Sequence, residues 1–269
     1  MFIFIITFLI TGLFSGLIAG LLGVGGGIII VPISYFVLLK LGYSINVVMH
    51  VSIASSLCII IFTSISSIRT HLKLNNVDKD VVKKWYLGII LGSILGSFLA
   101  NSIKGEVLVT IFVSLAFLIS INMFFQQKII TVKNNIPKSL FYNYLISGLI
   151  GFLSAIIGIG GGSFSVPTLS FFSKKIHRAV GTSAVLGFFI AFPGTISYIF
   201  LGHNVDGLPP YSLGYVNILI VVLVASTSIF TANFGAKLSS KIETSILKKI
   251  FAIFLLFTCI SLVIEHFVI

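Results

Sequence analysis

Acidic residues are scarce in this chain. Only 6 of its 269 residues are Asp or Glu, and charged residues of both signs make up 9% of it, against about 25% in a soluble globular domain. So few charges cannot cover the surface of a soluble protein of this size. Hydrophobic residues make up 57%, and the mean hydropathy is +1.19. These values predict a polytopic membrane protein.

The hydrophobic runs are continuous and about 20 residues long, which suits membrane helices and not the alternating strands of a barrel. A bilayer offers no partner to unpaired backbone groups, so helices are the expected spanning element. The predicted fold class is therefore an all-α polytopic membrane protein. Its predicted segments are 2–22, 28–40, 46–68, 85–102, 106–125, 140–157, 162–173, 178–200, 213–236 and 246–267.

Motifs for cofactors and catalysis are missing. The glycine-rich segment 23–27 lacks the Lys of a phosphate-binding loop and the context of a dinucleotide fingerprint. Cys58 and Cys259 lie in apolar runs, where packing is their expected role. We therefore expect no enzyme activity, no cofactor, and no catalytic or metal-binding residues. The net charge of +11 is carried by loops, where Lys and Arg set membrane topology, so no nucleic-acid partner is expected.

One glycine-rich segment occurs twice. Gly23–Pro32 reads GVGGGIIIVP, and Gly158–Pro167 reads GIGGGSFSVP. The segments after them also match, because His50–Ser56 aligns with His177–Ser183. A glycine-rich helix break that recurs at matching places in two halves of a chain is typical of transporters built from internal repeats. The sequence predicts two membrane repeats of about five helical segments each, residues 1–125 and 140–269, joined by a cytoplasmic linker at 126–139.

The orientation of the repeats depends on how the segments flanking each glycine motif are joined. If they form a helix pair or a re-entrant hairpin, the halves are inverted, and all 17 Lys and Arg residues except Lys40 and Lys104 lie on one side. If they form one interrupted helix, the halves are parallel and the charges divide almost evenly. The positive-inside rule favours the inverted arrangement, with both termini outside. At about 1.5 Å per residue, segments 28–40 and 162–173 reach only about 20 Å of a hydrocarbon core of about 30 Å, and the sequence leaves open whether they cross fully.

The glycine motifs are the first candidate binding site. Glycine allows a sharp turn and lets backbone N–H groups approach a ligand, and helix N-termini attract anions. The alternative is close helix packing, a common use of glycine in membranes. The candidate residues are Gly25, Gly26, Gly27, Gly160, Gly161, Gly162 and Ser163.

Hydroxyl and imidazole groups near the following helix starts form the second candidate set. Ser55, Ser56, Thr182 and Ser183 could donate hydrogen bonds to an oxyanion, or cap a helix and bond a neighbouring one. His50 and His177 occupy matching positions and could couple or gate transport as titrating groups, although an interfacial role would also place them there. No Asp or Glu lies in the middle of an apolar segment. This absence favours an anionic or neutral substrate over a cation.

At these motifs the chain resembles the sulfite exporter TauE/SafE family of membrane transporters. The matching pieces are Gly23–Gly27 with Val31-Pro32, His50–Leu57, Gly158–Gly162 with Val166-Pro167, and His177–Ser183. The second half has the Gly-Thr-Ser of the family at 181–183, whereas the first half has Ala54-Ser55-Ser56. The resemblance implies transport of small sulfur oxyanions or organosulfonates across the bacterial cytoplasmic membrane, without naming the ion.

Three functions remain open on the sequence. A secondary transporter would bind a small anion between the glycine motifs and expose it alternately to each side. An anion channel could use the same helix ends without a carrier cycle. A non-transporting assembly partner is disfavoured because the chain has no long soluble loops. Direction, coupling ion and oligomeric state have no signal in the sequence.

Overall fold

A computed structural model describes residues 2–125, 136–137, 139–239, 241 and 244–267. These residues form ten helices, and a short two-stranded hairpin precedes the ninth. The elements are α1 (Phe2–Leu22), α2 (Gly27–Lys40), α3 (Ile45–Lys73), α4 (Lys79–Asn101), α5 (Gly105–Phe125), α6 (Leu140–Ile157), α7 (Gly162–Phe171), α8 (Ile176–Leu201), β1 (Ser212–Leu213), β2 (Val216–Asn217), α9 (Ile218–Leu238) and α10 (Thr244–Phe267). The prediction of an all-α polytopic membrane protein is confirmed.

Seven of the helices in the described part of the chain are long and apolar enough to cross a membrane. By contrast, α2 has 14 residues and α7 has 10, which correspond to about 21 Å and 15 Å at 1.5 Å per residue. Both are shorter than the hydrocarbon core of about 30 Å. Each of these half-length helices directly follows a glycine motif.

The two halves pack through equivalent helix pairs. The most extensive contacts are α1 with α9 and α4 with α6, in which the first helix of each half lies on the fourth helix of the other. Contacts of α3 with α9 and of α4 with α8 form a second matching pair. The predicted linker 126–139 lies largely outside the described residues, and the division at that point stays a prediction.

Contacts along the helices give their relative directions. Successive α1 glycines, Gly12 and Gly16, lie against Val224 and Ser228 of α9, so these helices run parallel. In α4 and α6, Gly88 and Gly92 lie against residues 144 and 148, so these two helices also run parallel. Glycine at these positions lets the backbones approach, because a methyl group would overlap the facing carbonyl groups.

The central helices α3 and α8 run antiparallel. Ser64 of α3 lies near Gly187, whereas Leu57 lies near Gly194. Hydrogen bonds join α3 to α9 in the parallel sense, from Ser66 to residue 229 and from Thr70 to residue 233. Helices α1, α3 and α9 thus run one way, and α8 runs the other way.

Candidate functional site

The two glycine loops lie against each other inside the bundle. A methyl group on Gly25 would lie 2.9 Å from the Cα of Gly160, and a methyl group on Gly160 would lie 2.9 Å from the Cα of Gly25. Both positions also contact Ile60, near the middle of the 29-residue α3. The loops therefore meet near mid-height of the long helices, and only glycine permits this approach.

The half-length helices begin at this meeting point. Gly26 and Gly161 are the N-caps of α2 and α7, with φ of 80° and 67°, and neither helix has a side-chain cap. This left-handed backbone conformation suits glycine, since residues with a side chain rarely adopt it. In α7 the N–H groups of Gly162, Phe164 and Ser165 bond to the carbonyls of Gly160 and Gly161 just before them. The helix dipole makes this end of each helix partially positive. The centre of the bundle thus receives two uncapped helix N-termini.

The first residues of the two helices make reciprocal contacts. A methyl group on Gly27 would overlap the carbonyl oxygen of Gly158, and one on Gly162 would overlap the carbonyl oxygen of Gly23. Each helix start is therefore packed on the glycine loop of the other half. The six predicted glycines, from 25 to 27 and from 160 to 162, are brought together as one cluster.

Two of the predicted hydroxyls hold these loops in place. Ser56 donates a hydrogen bond of 2.7 Å to the Gly158 carbonyl. The Ser183 hydroxyl is shared between the Gly23 carbonyl, at 3.1 Å, and the Val180 carbonyl of its own helix, at 2.8 Å. Both side chains are fully buried. Each bond to a glycine carbonyl crosses from a central helix of one half to the glycine loop of the other.

The other two predicted hydroxyls accept from backbone N–H groups. Ser55 accepts from Asn217 and Thr182 accepts from Asp78, each at 2.9 Å. Asn217 and Asp78 are the N-caps of α9 and α4, so these bonds are also equivalent between the halves. All four hydroxyls thus have structural partners, and their contact with a substrate stays a prediction.

Unpartnered hydroxyls lie at the start of α7. Ser163 is 8% exposed and Ser165 is fully buried, and neither hydroxyl oxygen has a hydrogen-bond partner among the described residues. A buried hydroxyl without a partner costs free energy, so such a group suggests a site that another molecule completes. Ser163 was among the predicted residues. The sequence reasoning missed Ser165, although its position one turn from the glycine loop was a signal.

The two predicted histidines have different surroundings. His50 is buried, and its ring stacks on Tyr215 with centroids 5.0 Å apart. Its Nδ1 lies 2.9 Å from the Asn46 carbonyl and its Nε2 lies 3.1 Å from the Ala100 carbonyl. His177 is exposed. Neither histidine lies at the glycine cluster, and a coupling or gating role for them stays a prediction.

An ion pair links the halves at the end of the bundle where α3 ends. Lys174 Nζ donates to Asp78 Oδ2 at 2.6 Å, and the Asp78 side chain is 9% exposed. Burial alone would raise the pKa of this carboxyl group. The hydrogen bond from Lys174, the Val81 N–H and the charge of Arg178 outweigh burial, and they hold the pKa below its ordinary value.

Comparison with known proteins identifies this class of membrane protein. The chain matches the sulfite exporter TauE/SafE family over residues 8–262, and it belongs to that family. This confirms the resemblance found in the glycine motifs. No solved structure matches the chain.

The relatives are themselves membrane transporters by name. A probable membrane transporter protein of Haemophilus influenzae is 33% identical, over 97% of this chain and 99% of the relative. Proteins with the same description from Methanocaldococcus jannaschii and Bacillus subtilis are each 28% identical, over 82% and 91% of this chain and 81% and 92% of the relatives. The protein is a multi-pass membrane transporter.

Proposed function

We propose that the protein is a secondary transporter that moves a small anion, a sulfur oxyanion or an organosulfonate, across the bacterial cytoplasmic membrane by alternating access. One observation carries the proposal. Two half-length helices without side-chain caps begin at the centre of the bundle, and the unpartnered hydroxyls of Ser163 and Ser165 lie at the start of one of them. N–H groups, hydroxyls and the helix dipole are the groups that bind an oxyanion without a full positive charge.

The charges around the cluster favour an anion. The described carboxylates, at Asp78, Asp80, Glu106, Asp206 and Glu265, lie in loops or near helix ends. A transported cation would need a buried counter-charge, and the glycine cluster provides none among the described residues. The family name supports a sulfur oxyanion such as sulfite.

The contact between the loops favours a carrier over a channel. The backbones at Gly25 and Gly160 touch, so an ion can pass only if the halves separate there. The crossed bonds of Ser56 and Ser183 would have to rearrange in the same movement. A channel would keep a continuous path open, and continuous conductance would therefore favour that alternative.

The helix directions support an inverted repeat. Helix α3 runs opposite to its counterpart α8, and the parallel pairs α1–α9 and α4–α6 are those that an inverted pair of halves would form. Under the positive-inside rule, the end with the Asp78–Lys174 pair is then cytoplasmic, and both termini lie outside. Rocking of one half against the other would expose the cluster to each side in turn.

Uptake into proteoliposomes tests the function. Labelled sulfite, thiosulfate, an organosulfonate and acetate are compared, with rubidium as the cation control. The proposal expects saturable uptake of a sulfur anion with counterflow. The double variant Ser163→Ala/Ser165→Ala should weaken apparent affinity about tenfold or more, since a hydrogen bond to a charged group contributes about 1.5–3 kcal/mol. Background flux for every anion, or preference for rubidium, would reject it.

A further inference from the structure

A groove with basic side chains at one end lies between α3 and α9. It has a volume of about 700 Å³. Arg69, Lys73 and Lys237 line the end where both helices terminate, and Phe62, Ile65 and Phe230 line the remainder. This groove is separate from the glycine cluster, and the proposed transport does not use it.

The helix geometry places these groups in two zones. Arg69 and Lys73 are four residues apart on α3, so they share one face of the helix. Because α3 and α9 run parallel, Lys237 lies at the same end of the bundle as these two residues. The aromatic and aliphatic side chains lie about two turns deeper, towards the middle of the helices. The groove therefore has a cationic end near the membrane boundary and an apolar part at the depth of the acyl chains.

The floor of the groove is fixed by a hydrogen bond. Thr70 Oγ1 donates to Asn233 Oδ1 at 2.7 Å and joins the two helices between the basic side chains. Among the described residues, no acidic group lies within 4.0 Å of Arg69 or Lys73. No described carboxylate therefore neutralises the charge of these two side chains.

The equivalent positions in the other half have no basic residues. Ser56 of α3 is the counterpart of Ser183 of α8, and Asp78 at the start of α4 is the counterpart of Asn217 at the start of α9. By these relations Arg69, Lys73 and Lys237 correspond to Ile196, Phe200 and Phe98. All three of these counterparts are exposed on the bundle surface. The packing of the fold therefore does not require the charges.

We propose that this groove binds a phospholipid with an anionic headgroup, with the phosphate at Arg69 and Lys73 and an acyl chain against Phe62 and Phe230. Basic pockets between membrane helices bind anionic lipid headgroups in this way. The cationic end of the groove matches the headgroup of a phospholipid, and the apolar part matches its acyl chain. A basic residue that only sets topology needs neither a groove nor an apolar continuation.

Lipid titration of the purified full-length protein tests the site. Phosphatidylglycerol and phosphatidylcholine are added in detergent, and bound lipid and the unfolding midpoint are measured. The groove variant is Arg69→Gln/Lys73→Gln. Its matched control, Lys79→Gln/Lys83→Gln, removes two exposed positive charges at the start of α4, at the same end of the bundle. We expect phosphatidylglycerol binding to fall about 30-fold in the groove variant and to stay near wild type in the control.

Cross-linking of wild-type protein gives a second readout that does not depend on variant folding. A photoreactive phosphatidylglycerol should attach to residues 62–74 and 229–237. Equal losses in both double variants, equal binding of phosphatidylcholine, or attachment spread evenly over the bundle would overturn the proposal. Full competition by inorganic phosphate would also overturn it, because the groove would then bind a soluble anion.

Discussion

Ser56 of α3 donates a hydrogen bond of 2.7 Å to the carbonyl of Gly158, in the glycine loop of the opposite half. Ser183 of α8 makes the matching bond to Gly23 at 3.1 Å. The two bonds attach each loop to the central helix of the other half. They therefore hold the meeting point of α2 and α7 together at the centre of the bundle.

Removing one of these bonds should lower stability. We expect Ser56→Ala to reduce the free energy of unfolding by about 1 kcal/mol or more, because the buried Gly158 carbonyl loses a donor. Unfolding in detergent, followed by circular dichroism, measures the change. Ser114→Ala is the control, since the Ser114 hydroxyl bonds within its own exposed helix turn. Unchanged stability with weaker anion binding would instead place the Ser56 hydroxyl on the substrate.

The close approach of the loops predicts a size limit at Gly160. This residue has no left-handed φ, but a methyl group on it would lie 2.9 Å from the Cα of Gly25 and 3.0 Å from the Val24 carbonyl oxygen. Gly160→Ala should therefore destabilise the protein by roughly 1–3 kcal/mol and abolish transport.

The control for this change is Gly148→Ala. A methyl group on Gly148 would meet only the Gly88 carbonyl oxygen, at the ordinary contact distance of 3.6 Å. This variant should keep transport and gain slightly in stability, since alanine favours a helix interior over glycine. Equal behaviour of the two variants in thermal unfolding and uptake would mean that the loops do not touch.

The ion pair between the halves predicts a dependence on pH. At neutral pH, Lys174→Gln should lower the free energy of unfolding by roughly 0.5–1 kcal/mol. The pKa of Asp78 is lowered in the folded state from its ordinary value of 3.8. The contribution of the pair is therefore present above that value and is lost as the pH falls through the folded-state pKa.

Stability measured from pH 7 to pH 3 checks this expectation. The difference between wild type and Lys174→Gln should be constant down to about pH 4 and then shrink. The neighbouring variant Lys175→Gln, which removes an exposed charge without this partner, should show little difference at any pH. A difference that grows on acidification would contradict the assignment.

The inverted arrangement predicts where single cysteines are accessible. Lys79→Cys and Lys241→Cys should react with an impermeant reagent from the cytoplasmic side, and Lys104→Cys should react from outside. Both native cysteines, Cys58 and Cys259, are replaced by alanine beforehand. Reaction of residues 79 and 104 from the same side would contradict the direction of α4, which connects them.

Composition and the repeated motif predicted most of the architecture. Hydrophobic runs define helices well, because their length is set by the bilayer and does not depend on distant contacts. The predicted positions of the helix ends were less accurate. α3 extends to Lys73, beyond the predicted 68, and α4 begins at Lys79, ahead of the predicted 85. Their polar ends continue the helix outside the apolar zone, where hydropathy gives no signal.

The contacts of the candidate site could be predicted only in part. The glycines were identified because they are repeated and costly inside a helix. The partners of Ser56 and Thr182 could not be found, because each lies more than 100 positions away in the chain. The predicted segment 213–236 is wrong at its start, because residues 213–217 belong to the β1–β2 hairpin that directly precedes α9.

The accessibility of Ser163 tests the central claim most directly. Ser163→Cys is introduced with Cys58 and Cys259 replaced by alanine, and its alkylation is measured in membranes with reagents added from either side. The account predicts slow labelling from both sides, protection by sulfite or another sulfur oxyanion, and no protection by rubidium. Labelling that no anion changes, or that a cation prevents, would contradict an anion site at the start of α7.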